Sequence, residues 1–183
     1  MPLNNSTAQH KKKTRGCSFR INEESLKILN EEADTQGISV NALMNKILKQ
    51  YINQFRHIKR FGAVITARTV FNKIVDCCTE DELKKIAEVT GSTETKDAMR
   101  TLGIPQTYDT VIAHIKMAGT HGGWFDFNQH TKNSGEYIHL RHELGKKWST
   151  FLAETVSSIF KSILDIEVKT EILDNYVTIQ IPK

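Results

Sequence analysis

Residues 15–21 read Arg-Gly-Cys-Ser-Phe-Arg-Ile, with side chains alternating in character. A period of two marks an extended strand with one covered face. It sets Cys17, Phe19 and Ile21 on an inward face and Gly16, Ser18 and Arg20 on an outward one. The chemistry open to that outward face is recognition of base edges. Arginine can pair bidentately with O6 and N7 of guanine, and serine can bond several edges. Gly16 has no side chain to discriminate with. Just upstream stand Lys11, Lys12 and Lys13. With Arg15 they offer salt-dependent attraction to phosphates. The plain alternatives are a solubilising tail and a solvated arginine.

Histidine is the other residue type that invites chemistry. Five of the seven histidines lie between residues 114 and 142. His121, His139 and His142 are the candidates for a shared metal. On a regular strand His139 and His142 point to opposite faces, which argues against a common ion, and the expectation is no metal. His121-Gly-Gly is a flexible turn, not a phosphate loop, because no Lys-Ser/Thr follows it. The three cysteines, two of them adjacent, make neither a disulfide framework nor a zinc pair, and packed, inert thiols are expected. No catalytic dyad or triad emerges, so the sequence points to no enzyme and no cofactor.

Elements must hold the outward strand face in place. Asn22 reads as the N-cap of a helix through Leu26, Leu29 and Ala33 that stops at Gly37. Ser39 caps a second helix. Its residues Val40, Leu43, Met44, Ile47, Leu48, Tyr51, Ile52 and Phe55 recur on one helical face. Strand, helix, turn and helix in about 40 residues bury too little to fold alone. The strand also has no ladder partner within the segment. Pairing two copies removes both problems.

Here the sequence resembles the ribbon-helix-helix family of DNA-binding repressors. The resemblance rests on residues 17–21, on Gly37, Ser39 and Asn41, and on the 16-residue step from Ile21 to Gly37. It covers roughly a quarter of the chain. It implies an intertwined homodimer, or a dimer of dimers, whose two-stranded ribbon enters the major groove of double-stranded DNA. It further implies base reading by Gly16, Ser18 and Arg20, and phosphate anchoring by the helix N-terminus at Ser39, Val40 and Asn41. A nickel-sensing relative of this family would need a His-x-His pair and a later Cys, and both are missing here.

Charge divides the chain in the same way. Residues 1–60 hold 11 Lys or Arg against 5 Asp or Glu, a net of +6, and the remainder carries a net of −2. A basic head on a slightly acidic body fits a nucleic-acid module joined to a second one. No apolar run approaches the ~20 residues of a membrane span or the core of a signal peptide, so a cytoplasmic protein is expected.

The remainder reads as follows. Gly62 marks a boundary, and 63–67 has the composition of a short strand. Helices are expected from Val70 to the Cys77-Cys78 pair, from a Thr79/Glu82 capping box to a stop at Gly91, around 96–102, and over 107–118 with a stop at Gly119. Strands over 124–130, 136–142, 166–173 and 176–181 flank a long helix over 145–164. The order β-β-α-β-β predicts a four-stranded antiparallel sheet with a helix across one face. The whole is α+β: a disordered basic arm (1–14), a ribbon-helix-helix head (15–60), and a C-terminal domain (63–183) for oligomerisation or effector response. Function follows as a sequence-specific transcriptional regulator. The alternatives are an antitoxin-like autoregulator with a partner-binding C-terminal region, and an enzyme whose pocket gathers His121, His139 and Trp124.

Overall fold

The computed structural model describes residues 15–56, 66–132 and 135–182, the side chains of 53, 54, 120 and 121 excepted. The expected arm at 1–14, the continuation of the second helix over 57–60 and most of the short strand at 63–67 lie outside these residues. The architecture is α+β, and contacts divide the chain into two units, Met1–Lys49 and Gln50–Lys183. The division falls ahead of the expected 60–63 boundary, at the end of the second helix.

In the first unit, α1 (Glu23–Thr35) opens on Asn22, whose Oδ1 accepts from the Ser25 N–H at 2.7 Å. It closes at Gly37, where φ is +64°. The Gly37 N–H bonds Asp34 O, and the Ile38 N–H bonds Ala33 O, each at 3.0 Å. This double bond pattern needs a left-handed residue, which glycine adopts without a Cβ penalty. α2 (Val40–Gln50) follows, capped by Ser39 Oγ, which accepts from the Ala42 N–H at 3.2 Å. It runs into a π turn at Tyr51–Phe55. The expected strand at 15–21 is not formed within the single chain, because no described segment offers it a ladder.

The second unit carries α3 (Arg68–Cys77), α4 (Glu80–Val89), α5 (Thr95–Thr101), α6 (Tyr108–Gly122) and α7 (Gly145–Ile159), with strands β1 (Asp126–Lys132), β2 (Gly135–Arg141), β3 (Lys169–Leu173) and β4 (Tyr176–Ile181). The strands form one antiparallel sheet in the order β1-β2-β4-β3. The expected β-β-α-β-β order is therefore present. Two strands are displaced: the first begins at Asp126 and not at 124, and the third begins only at Lys169. Trp124 leaves the strand because its ring packs edge-on against Trp148 at 5.3 Å.

Register sets Ile138 opposite Ile179 and Leu140 opposite Val177, so these four residues share the covered face. α7 lies across that face and buries Trp148, Leu152, Val156 and Ile159. The Trp148 ring stacks on Phe151 at 4.6 Å and meets Phe71 edge-on at 5.0 Å. The Thr79/Glu82 capping box that opens α4 is formed as expected.

Two glycines read as helix stops do something else. At Gly91 the helical backbone continues through a π turn (Thr90–Glu94) into α5. Gly91 is buried against α7, where an added Cβ would press on the Thr155 carbonyl oxygen and lie 2.6 Å from Ser158 Cβ. Gly119 likewise sits within α6, where an added Cβ would lie 2.6 Å from the Phe125 ring. The helix ends instead at Gly123, with φ at +67° and its N–H on Gly119 O. Close approach of neighbouring elements, not chain reversal, explains both residues.

Gly91→Ala is expected to destabilise the second unit by about 1–3 kcal/mol through overpacking. A urea titration followed by tryptophan fluorescence reads this as a lower midpoint. Gly16→Ala, whose Cβ meets nothing within 4 Å, should leave the midpoint unchanged.

Candidate functional site

The first unit buries little. Ala33 and Leu43 are its covered apolar side chains, at 1% and 3% exposure. Ala33 lies on α1 and Leu43 on α2. Phe19, Ile21, Leu26, Ile28, Ile47 and Leu48 all remain between 38% and 60% exposed. Cys17, Phe19 and Ile21 were expected on a covered face. Among the described residues nothing covers them, and all three are exposed.

Gly16, Ser18 and Arg20 are exposed as well. Among the described residues, no group pairs with the side chain of Ser18 or Arg20, or with that of Arg15. Gly16 stands in open space, so neither a turn nor a close contact requires it. Lys11, Lys12 and Lys13 lie outside the described residues.

The start of α2 is built as expected. Ser39 Oγ takes the Ala42 N–H, and Ser39 O takes the Leu43 N–H at 2.9 Å. Among the described residues, no acceptor meets the N–H groups of Val40 and Asn41. These free donors at a helix N-terminus suit an anion. Lys46 Nζ bonds Gln36 Oε1 at 2.8 Å and ties α2 to the turn that precedes it.

The histidines separate. On the uncovered face of the sheet, His139 stacks on His130 at 4.9 Å and on Tyr176 at 5.5 Å, and its Nδ1 lies 3.3 Å from Thr178 Oγ1. Burial, then the His130 and Lys132 charges, lower its pKa. His142 faces the other way. It is 7% exposed, its Nδ1 accepts the Leu144 N–H at 3.1 Å, and its Nε2 meets Ser149 Oγ at 2.8 Å. His121 belongs to α6. Among the described residues, no three His, Cys, Asp or Glu side chains are grouped to hold a metal. Cys77 is exposed and Cys78 half-buried, with its Sγ on Ile74 O at 3.6 Å.

A feature that sequence reasoning missed is a cleft of about 660 Å³ in the second unit. Arg68, Asp126, Arg141 and Glu143 line it, with Trp124 and Phe127. Arg68 Nη1 bonds Glu143 Oε2 at 2.9 Å, and Arg141 Nη2 bonds Asp126 Oδ2 at 2.7 Å. Arg68 and Glu143 are 75 positions apart, so no local pattern signals their meeting.

No family model matches the chain, and neither any curated protein nor any solved structure matches it. Among the described residues, no helix is long and apolar enough to cross a membrane.

Burial holds His142 down at about 4, from an ordinary 6.5. Between those pH values the unfolded chain binds the extra proton, so stability falls as pH drops from about 6.5 to about 4. His142→Gln, which still offers the Leu144 N–H an acceptor, should flatten that segment of a plot of urea midpoint against pH.

Proposed function

We propose that the chain is a sequence-specific DNA-binding transcriptional regulator, a repressor that acts as a homodimer or a dimer of dimers. Residues 15–21 of two copies pair into an antiparallel ribbon that lies in the major groove, which admits a two-stranded ribbon. Ser18 and Arg20 read base edges, and Gly16 lets the backbone approach them. Val40 and Asn41 N–H groups, with Ser39, anchor a phosphate and fix the register. Lys11, Lys12, Lys13 and Arg15 add attraction that does not depend on sequence.

One observation carries this reading. Residues 15–22 are neither helical nor paired, and they adjoin helices whose apolar side chains are left uncovered. A segment in that state lacks both its ladder and its core. A second copy supplies both at once: strand to strand for the hydrogen bonds, and helix to helix for the apolar face. The ribbon-helix-helix arrangement is the form such pairing takes when strand precedes helices in this order.

The second unit has a separate role. Its sheet and helices make a folded body that can hold heads together or answer an effector. Either would act on DNA affinity through effective concentration or through differential binding to two states.

Duplexes selected by the wild-type chain from a random pool provide the test. Arg20→Ala should abolish the preference for selected over scrambled duplexes in a gel-shift series, with the dimer mass unchanged. Equal affinity of Arg20→Ala and wild type for the selected duplex would exclude the ribbon as reader. Replacing Lys11, Lys12 and Lys13 together by Ala should weaken binding to all duplexes. It should also reduce the slope of log K against log salt by about 1 for each phosphate no longer neutralised.

A further inference from the structure

The cleft in the second unit is lined by charges in an unusual balance. Two guanidiniums and two carboxylates alternate along it in the order Asp126, Arg141, Glu143, Arg68. Arg141 is bonded to Asp126 and also feels the Glu143 charge, and both raise its pKa. The side chains are exposed to 74%, 73%, 82% and 57% in that order. Exposed pairs of this kind contribute little to stability, so fold maintenance does not require four of them in one concavity.

Each charge keeps unused bonding capacity. Arg141 spends Nε and Nη2 on a single oxygen, Asp126 Oδ2, at 3.2 and 2.7 Å. That leaves Nη1 and Asp126 Oδ1 without a partner among the described residues. Arg68 spends only Nη1, on Glu143 Oε2, and keeps Nη2 and Nε. The remaining polar side chain, His142, is neutral in this setting, because its Nδ1 is occupied as an acceptor.

The wall bearing Arg141 and Glu143 is fixed in place. Between them the His142 N–H bonds Asn175 O at 3.0 Å, and two residues beyond Glu143 the Gly145 N–H bonds Asn175 Oδ1 at 2.9 Å. His142 itself is locked onto Ser149 at 2.8 Å. Charged groups held before a ligand arrives lose less freedom when it binds. Trp124, 37% exposed, and the partly buried Phe127 add apolar surface to the lining of the same cleft.

We propose that this cleft binds a zwitterion, an α-amino acid with an aromatic or branched apolar side chain. The net charge of the lining is zero. A ligand of one sign would gain one kind of partner and face the opposite kind beside it. A carboxylate and an ammonium on one carbon answer both kinds together, the first at the spare guanidinium donors and the second at Glu143 or Asp126. The ligand's side chain then covers Trp124. A volume of about 660 Å³ falls within the ~300–1,000 Å³ of small-molecule sites. This site goes beyond the DNA-binding reading and does not depend on it.

Calorimetry on the full chain without DNA tests the site, with L-phenylalanine, L-tyrosine, L-leucine and L-isoleucine as probes. Saturable binding of at least one is expected. For L-phenylalanine two analogues isolate the charges: 3-phenylpropanoate lacks the ammonium, and 2-phenylethylamine lacks the carboxylate. Each should bind about tenfold or more weakly, the cost of losing one charged hydrogen-bond partner. Glu143→Gln and Arg141→Gln, both exposed positions, should weaken amino-acid binding by a similar factor while circular dichroism stays unchanged. No saturable binding of any of the four up to about 10 mM would overturn the proposal, since it places Kd beyond the weakest useful range. A singly charged analogue that binds as tightly as its parent amino acid would overturn it too. Loss of DNA binding in a separate assay bears only on the head.

Discussion

A helix packed against a sheet on one side and against other helices on the next has little solvent left for its polar side chains. α7 is in that position, and the second unit is arranged around the requirement. Ser149, Thr150 and Thr155 are all buried on it. Ser149 bonds His142 and the Asp174 carbonyl, and Thr150 returns its hydroxyl to Lys146 O at 3.2 Å. Thr155 Oγ1 finds no partner among the described residues. The neighbouring helix comes close enough to bury this face only because residue 91 lacks a side chain. The loop after β2 is likewise held where α7 needs a polar partner, and the cleft wall inherits its rigidity from that bond.

The first unit presents the opposite condition. Its caps and turns are complete, but its apolar side chains and its extended segment are not covered. Local hydrogen bonding specifies α1 and α2, whereas burial sufficient to offset chain entropy is not reached inside one copy. On the reading proposed above, a second copy supplies the burial that this unit lacks. If residues 15–21 do form the proposed ribbon, folding of that segment is linked to assembly.

Much of this was legible in the sequence where the cause is local. Asn22, Ser39 and the Thr79/Glu82 box cap their helices within three residues, so the pattern that predicts them is also what stabilises them. Alternation along β2 and β4 is local in the same sense, and so is the β-β-α-β-β order. What escaped depends on neighbours distant in sequence. Gly91 and Gly119 look like stops because a glycine between helical stretches usually ends one. Here the deciding neighbours are Thr155, Ser158 and Phe125. Trp124 reads as a strand residue until Trp148 takes its ring. The charged cleft joins residues from three separate stretches of chain, none of which carries a motif. For the first unit, the sequence carries the alternation and the caps, while residues 15–21 find no strand partner among the described residues.

The exposed edge of the sheet has a consequence for solubility. β3 is five residues long, every one of them exposed, and includes Ile172 and Leu173. A bare edge of that kind invites recruitment of foreign strands into fibrils. Its shortness, and the charges of Lys169 and Glu171 within it, oppose such recruitment, because a newcomer would have to dehydrate them for few hydrogen bonds in return. Growth at this edge is thereby discouraged, and crowding in concentrated solution is less apt to turn the body of the protein into aggregate.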